Sequence, residues 1–344
     1  MKVCIIGASG YTGAELARLV NNHPQFELEQ LCVSENSADA NKRLSELYPA
    51  LQGCVDFPLI PIGMPDLTQL SNDFDIIFLA TPHEASHDWV GTLLQGRAKV
   101  FDLSGAFRLQ DRQVFEHHYG FPHAHPNTLC KAVYGLAEWY ASDIARASLI
   151  AVPGCYPTAS LLATKPLMQA ELLDAAHYPI INAVSGVSGA GRKAALNTSF
   201  CEVSLQAYGI LSHRHTPEIS AYLGSPVIFT PHLGNFKRGI LATVTCKLKY
   251  GVTEAQVNDA FSQAYQQSSL VRLRTQAPKI DDVVHQAFAD IHWQYSAQNG
   301  YVVISCAIDN LLKGAASQAM QCANLVFGLP DWVGLVAHQG GHHE

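Results

Sequence analysis

A glycine-rich turn near the amino terminus constrains the fold of this chain more than any other feature of its sequence. The stretch GASGYTG places Gly7, Gly10 and Gly13 between a predicted strand, residues 3–6, and a predicted helix, residues 12–22. Glycines at such a junction let the backbone approach a phosphate, to which the start of the helix offers N–H groups. The turn therefore predicts dinucleotide binding, with a purely structural turn as the alternative.

Strands and helices alternate throughout the first third of the sequence. Further strands are predicted at residues 27–33, 75–79 and 99–103, and a helix at residues 85–94. This alternation is typical of a parallel, doubly wound sheet with helices on its faces. The sequence therefore predicts an α/β fold that begins with a nucleotide-binding domain.

The pattern changes after Cys155. Strands are predicted in YPIINAVSG and near residues 227–230, 239–248 and 300–308, and the last two predict a sheet with one solvated face. A final apolar helix at 311–327 is expected to pack back on the first domain. We therefore predict a nucleotide-binding domain at residues 1–154 plus 311–330, a second, mixed-sheet domain at 155–310 and a tail at 331–344.

Composition excludes several classes of protein. The net charge of −7 over 344 residues argues against a nucleic-acid partner, and no apolar run is long enough to predict a membrane span. Nine scattered cysteines without a CxxC pair indicate reduced thiols in the cytoplasm rather than a disulfide framework. The histidines of the final HQGGHHE could bind a metal, but a frayed terminus is the favoured interpretation.

The end of the second predicted strand bears on the choice of nicotinamide cofactor. An acidic residue is usual there in NAD sites, whereas this strand ends at Ser34, which is small enough to accept a 2′-phosphate. Lys42 and Arg43 are close enough in sequence to help neutralise that phosphate. The sequence thus favours NADP(H), although Glu35 is a contrary signal and the basic pair is equally consistent with a solvated surface.

A cysteine lies at a second corner between a strand and a helix. Cys155 follows the predicted strand SLIAVP and precedes a predicted helix, whose start would favour the thiolate. The stretch SHRHTPEIS supplies His213, His215 and Glu218, and either histidine could serve as acid or base near the thiol. An exposed polar loop is the alternative for this stretch.

A nucleophilic thiol beside a nicotinamide site suggests a particular chemistry. The thiolate attacks an activated acyl carbon, and hydride transfer interconverts the resulting thioester and hemithioacetal. Phosphate is a good leaving group that requires cationic donors. Two loops offer such donors, DLSGAFR with Ser104 and Arg108, and SGVSGAGRKA with Ser188, Gly189 and Arg192, although either is equally consistent with a solvated turn.

Seven motifs together resemble the N-acetyl-gamma-glutamyl-phosphate reductases of arginine biosynthesis. They are GASGYTGAEL, FDLSGAFR, VPGCYPTA, SGVSGAGRKA, HRHTPEI, TPHLGNFKRGI and DNLLKGAASQAMQCAN, and they span residues 1–328 in order. The resemblance implies NADPH-dependent reduction of N-acetyl-γ-glutamyl phosphate to the 5-semialdehyde with release of phosphate. It also implies a cytoplasmic homodimer or homotetramer built from a Rossmann-like NADP-binding domain and an α/β catalytic and dimerisation domain.

The same resemblance assigns roles to individual residues. It makes Cys155 the nucleophile, draws the acid/base from His213 and His215 with His215 preferred, and has Glu218 orient a histidine or the substrate. Ser104, Arg108, Ser188, Gly189 and Arg192 are the expected substrate contacts. The expected cofactor contacts, including the Ser34 of the preceding argument, are Gly7, Ser9, Gly10, Tyr11, Thr12, Gly13, Ser34, Asn310 and Lys313.

Three rival interpretations remain from the sequence. HEASH at residues 83–87 matches the HExxH zinc motif, but Pro82 places His83 at the very start of a helix, at the sheet edge expected to hold the cofactor. We therefore expect no metal. Aspartate-semialdehyde dehydrogenase has a similar plan, and a non-catalytic NADP-binding regulator is the third possibility.

Overall fold

The computed structural model describes residues 1–336 and contains two seven-stranded sheets in that range. The first sheet is wholly parallel, with strand order β3-β2-β1-β4-β5-β7-β6. Its strands are β1 (Lys2–Ile6), β2 (Glu27–Ser34), β3 (Leu59–Ile62), β4 (Ile76–Leu79), β5 (Lys99–Asp102), β6 (Ala132–Tyr134) and β7 (Leu149–Ala151). The predicted doubly wound, Rossmann-like domain is confirmed.

The second sheet is mixed, with strand order β12-β13-β14-β11-β8-β10-β9. Two of its strand pairs, β8 with β10 and β12 with β13, are parallel and the others antiparallel. Its strands are β8 (Ile180–Gly186), β9 (Gln206–Ala207), β10 (Ile228–Gly234), β11 (Ile240–Lys247), β12 (Val271–Leu273), β13 (Ala289–Ser296) and β14 (Tyr301–Ile308). The expected mixed-sheet second domain is likewise confirmed.

Eleven α-helices connect and cover these strands within residues 1–336. They are α1 (Tyr11–Asn21), α2 (Leu44–Leu47), α3 (Leu67–Asp73), α4 (His83–Leu93), α5 (Arg112–Tyr119), α6 (Pro126–Leu129), α7 (Ala137–Ile144), α8 (Cys155–Gln169), α9 (His215–Leu223), α10 (Glu254–Tyr265) and α11 (Ser317–Val326). None of the helices in the described range is long and apolar enough to cross a membrane.

The carboxyl-terminal helix differs from the single helix predicted at 311–327. A π-helical turn, Leu312–Ala316, precedes α11, and its backbone bonds run from Gly314 N–H to the Asp309 carbonyl and from Ala316 N–H to the Leu311 carbonyl. Helix α11 packs against α1 and α7 and so covers the first sheet. The final histidines, within residues 337–344, lie outside the described residues.

The two faces of the second sheet have different environments. Helix α8 packs on β11 and β14 and is itself covered by α9 and α10, so this face is buried. On the other face Ile180, Ile228 and Val303 are each about 40% exposed. Within residues 1–336, this outer face of the second sheet therefore carries apolar side chains that remain partly exposed.

Candidate active site

The glycine turn has the backbone geometry that a bound phosphate requires. Gly7 has a φ of +87°, and a Cβ atom there would lie 2.3 Å from the Ala80 carbonyl oxygen. A Cβ at Gly13 would lie 2.4 Å from the Gly7 carbonyl oxygen. Side chains are therefore excluded at Gly7 and Gly13, and the first N–H groups of α1 lack partners within the helix.

A cavity of about 270 Å³ runs from this turn to the thiol. Of the predicted residues, it is lined by Gly10, Tyr11, Thr12, Gly13, Arg108, Cys155, Ser188, Gly189, Arg192, His215 and Asn310. It therefore brings together cofactor, substrate and catalytic candidates from both domains. The glycine turn and the start of α1 at one end of this cavity could hold the phosphates of a dinucleotide, and a nicotinamide at the other end would be near the thiol of Cys155.

The thiol lies on the first residue of α8 rather than ahead of that helix. The turn before it is fixed by Gly154, whose N–H donates to Glu218 at 2.9 Å. Gly314 of the π-helical turn packs so closely that a Cβ there would be 2.8 Å from the Cys155 Cβ. Burial raises the pKa of the Cys155 thiol, and its own helix start and Arg108 only partly oppose this.

Glu218 and Arg108 form a buried ion pair behind the thiol. The Glu218 carboxylate accepts from Tyr134 Oη at 2.8 Å and from Arg108 Nη1 at 3.3 Å, in addition to the bond from Gly154. Arg108 also donates to the Val152 and Leu103 carbonyls at 2.8 and 2.7 Å. These bonds fix the backbone at Val152 and Gly154, so Arg108 and Glu218 together hold the turn that precedes Cys155.

The two histidines occupy different places. His215 begins α9, is 8% exposed and lines both cavities that meet at Cys155, whereas His213 lines one of them. A Cβ at Gly154 would lie 2.6 Å from His215 Nε2, so this nitrogen faces the turn that carries the thiol. Burial and the neighbouring His213 lower the pKa of His215, and burial and Arg214 lower that of His213 to about 4. Both imidazoles are therefore neutral at pH 7.

A second cavity of about 440 Å³ opens on the other side of the thiol. Its walls include Tyr156, Ser185, Asn197, Tyr208 and His213. The Tyr208 hydroxyl donates to the Tyr156 hydroxyl at 3.3 Å, and that hydroxyl in turn donates to the His232 carbonyl. This mixture of aromatic rings and polar groups suits a small polar acyl chain.

The loop at 188–192 joins the two domains across the first cavity. Asn310 Nδ2 donates to Ser188 Oγ at 2.9 Å, and Asn310 Oδ1 accepts from Gly239 N–H. Arg192 pairs with Asp39 at 2.5 Å and lies over the Tyr48 ring. Asn310 therefore supports the loop, and Arg192 is placed on the nucleotide side of the cavity.

Five predicted contacts line neither cavity, namely Gly7, Ser9, Ser34, Ser104 and Lys313, and the predicted catalytic residue Glu218 also lies outside both. Lys313 is fully buried, where it pairs with Glu138 and donates to Gln321. Ser104 Oγ donates to Asp102, and Ser34 is exposed at the end of β2. The Ser9 carbonyl accepts from the Tyr48 hydroxyl. For Lys313 the physical reason is the π-helical turn, which directs this side chain into the first domain.

Among the residues of the first cavity that were not predicted as site residues, two have titratable or charged side chains, His83 and Arg214. Both belong to motifs that the sequence makes visible: Arg214 separates the two histidines of HRHTPEI, and His83 is the first residue of HEASH.

The contacts of the HEASH histidines argue against zinc. His83 Nδ1 accepts from Gly105 N–H, and His87 Nε2 accepts from Ala124 N–H while His87 Nδ1 pairs with Asp88. Arg214 Nη1 lies 2.9 Å from His83 Nε2, where a cation would be repelled. Among residues 1–336, His87, Asp88 and His125 could also be grouped around a metal, but the same two contacts already engage both nitrogens of His87.

Family models match both halves of the chain. Residues 2–147 match the semialdehyde dehydrogenase NAD binding domain, and residues 155–310 match the semialdehyde dehydrogenase dimerisation domain. The chain belongs to the semialdehyde dehydrogenase family, and it is accordingly an NAD(P)-dependent oxidoreductase.

Curated relatives narrow the comparison. The chain is 62% identical over 336 residues to the N-acetyl-gamma-glutamyl-phosphate reductase of Pseudoalteromonas atlantica. The alignment covers 98% of each protein. It is 56% identical over 332 residues to the reductase of the same name from Yersinia pseudotuberculosis, with 96% of this chain and 98% of the relative covered. The resemblance inferred from the seven motifs is confirmed.

Solved structures agree at the level of the fold. The aspartate semialdehyde dehydrogenase II of Vibrio cholerae superimposes with a TM-score of 0.71 at 18% identity, covering 95% of this chain and 98% of that one. At this identity the likeness supports the two-domain α/β architecture alone.

Proposed function

We propose that the chain reduces N-acetyl-γ-glutamyl phosphate to N-acetyl-L-glutamate 5-semialdehyde with NADPH and releases phosphate, a step in L-arginine biosynthesis. The carrying observation is that Cys155 lies where the two cavities meet, with His215 lining both. The names of the relatives support this substrate, and the 440 Å³ cavity has the size and polarity for its acyl chain.

The first chemical step forms a thioester on the chain. Because burial keeps Cys155 protonated in the free enzyme, a base must take its proton as the sulfur attacks the γ-acyl carbon. His215 is neutral and faces the thiol turn, so we assign it this proton. The carbon–sulfur bond forms, the carbon–oxygen bond to phosphate breaks, and phosphate leaves.

The second step releases the aldehyde. A nicotinamide held in the first cavity, beside Cys155 and His215, would supply a hydride to the thioester carbon. The carbon–sulfur bond then breaks, and His215 returns its proton to the departing thiolate. Arg108 and Glu218 keep the turn before Cys155 in place throughout, because they bond to the Val152 carbonyl and to the Gly154 N–H.

The choice of cofactor rests on the loop that follows β2. Ser34 is exposed at the end of this strand, and no carboxylate side chain occupies its position. Lys42 and Arg192 both pair with Asp39 in the same loop, so two cations are within reach of a 2′-phosphate. We propose that this loop selects NADPH, and that Ser34→Asp lowers the preference for NADPH over NADH.

A homodimer is the assembly that best fits the second sheet. Its outer face exposes Ile180, Ile228 and Val303, and its residues belong to a family domain named for dimerisation. We propose that a second copy covers this face.

The decisive test is the reverse reaction. Phosphate-dependent reduction of NADP⁺ by N-acetylglutamate semialdehyde should proceed with the wild type and fail with Cys155→Ala. His215→Asn should lower the rate about a hundredfold or more, the usual contribution of a general acid or base, and His213→Asn should lower it less. Activity that survives in Cys155→Ala would refute the mechanism, and equal turnover of a free amino substrate would favour an aspartate-semialdehyde dehydrogenase.

A further inference from the structure

His83 and Arg214 bring two hydrogen-bond donors face to face in the wall of the first cavity. Gly105 N–H donates to His83 Nδ1 at 2.7 Å, and Arg214 Nη1 lies 2.9 Å from His83 Nε2. A backbone amide and a guanidinium are always donors. A neutral imidazole accepts at one nitrogen and carries a proton on the other, so His83 cannot accept from both.

The tautomer of His83 follows from which neighbour can move. A Cβ at Gly105 would lie 2.1 Å from the Tyr119 hydroxyl, so its backbone is tightly enclosed, whereas Arg214 is exposed. Nδ1 is therefore the acceptor, and Nε2 carries the proton toward Arg214. Burial, with Arg214 and Arg108, lowers the pKa of His83 to about 3, so the ring stays neutral at pH 7.

The three arginines that line the first cavity differ in whether a carboxylate neutralises them. Three arginines line it, and Arg108 pairs with Glu218 while Arg192 pairs with Asp39. Within residues 1–336, no carboxylate lies within salt-bridge distance of Arg214. The Arg214 guanidinium and the Nε2–H of His83 are thus two donors that face each other without an acceptor between them. An anionic oxygen in the cavity can accept a hydrogen bond from both.

We propose that His83 and Arg214 form a two-donor clamp for the phosphate group that leaves the substrate in the forward reaction and attacks the thioester in the reverse one. The proposal rests on the function proposed above. In the reverse direction a phosphate oxygen bonds to the acyl carbon, the carbon–sulfur bond breaks, and the sulfur leaves as a thiolate that takes a proton from His215. The clamp fixes the attacking phosphate on the cofactor side of Cys155, since His83 lines that cavity and not the other.

The test uses the full chain and the KM for inorganic phosphate in the reverse reaction. Arg214→Gln should raise this KM about 10- to 100-fold, as expected for loss of a charge-assisted hydrogen bond. His83→Asn keeps an acceptor for Gly105 but loses the Nε2 donor, and should raise it about tenfold. The KM for the semialdehyde should change less than twofold, and the exposed control Arg146→Gln should change neither constant.

A binding measurement separates this proposal from the proposed function. Inorganic phosphate should raise the Tm of the NADP⁺-bound wild type, because it binds the folded state, and should raise that of Arg214→Gln much less. A wild type without activity would defeat the proposed function, while the phosphate-dependent shift would still decide the clamp. Variants that raise the KM of the semialdehyde instead would assign the pair to a carboxylate and overturn the proposal, as would variants that leave the phosphate shift unchanged.

Discussion

Removing the charge of Glu218 should destabilise the protein more than a surface change of the same kind. The carboxylate is fully buried and accepts from Gly154, Tyr134 and Arg108. Glu218→Gln keeps the shape of the side chain but turns one acceptor into a donor that faces other donors. It also leaves the guanidinium of Arg108, which is 5% exposed, without its counter-charge.

The expected loss follows from the burial of both partners. Breaking a buried ion pair by removal of one member costs about 3–5 kcal/mol. With an unfolding entropy of about 2.1 cal/mol/K per residue, a chain of 344 residues gains about 0.7 kcal/mol/K on unfolding. The Tm should therefore fall by about 4–7 °C.

Urea denaturation of a double-mutant cycle measures the interaction itself. Arg108→Met should also destabilise the chain, but the double variant should cost at least about 1 kcal/mol less than the sum, because neither charge is then left alone. The exposed control Glu116→Gln should change the free energy of unfolding by less than about 0.5 kcal/mol. Additive effects of the two single variants would refute the reasoning.

Three further outcomes are expected. Lys313→Met should lower the free energy of unfolding in urea by about 3–5 kcal/mol, because it leaves the buried Glu138 without its counter-charge. It should leave the KM for NADPH unchanged, and a raised KM would put Lys313 in the cofactor site. Alkylation of Cys155 by iodoacetamide should still accelerate above pH about 8.5, since burial raises the pKa of the thiol, and a plateau below pH 8 would contradict this. The free energy of unfolding should fall as the pH is lowered from about 6.5 to about 4. The unfolded chain protonates His83 and His213 in this range, whereas the folded chain holds their pKa values at about 3 and 4. An unchanged urea midpoint across that range would contradict this.

Much of the fold could be predicted because its signals are local. The sequence predicts strands β1 and β2 and helix α1 to within two residues of their ends, since apolar runs and a glycine turn mark them. It does not predict strand β3, which has four residues and contains a proline, or strand β6, which has three. Short edge strands take their structure from the neighbour they pair with, which a single sequence does not display.

The site was predictable where a motif carries both residue and geometry. The thiol corner and the HRHTPEI stretch are such motifs, and the cavities bring Cys155 and His215 together although they are separated by 60 positions. Lys313 illustrates the limit, because it lies within the π-helical turn, which changes which side chains face the cavity. The donor pair of His83 and Arg214 joins the starts of helices α4 and α9, which belong to different domains, and no local pattern predicts that contact.

The position of α11 has a consequence for how the chain is made. The first sheet is complete once residue 151 has been synthesised, yet the helix that covers part of it spans Ser317–Val326. A nascent chain on the ribosome therefore carries an unshielded apolar surface while the entire second domain is still being translated. Because Gly314 also packs on Cys155, this thiol reaches its final environment only after the π-helical turn has been synthesised.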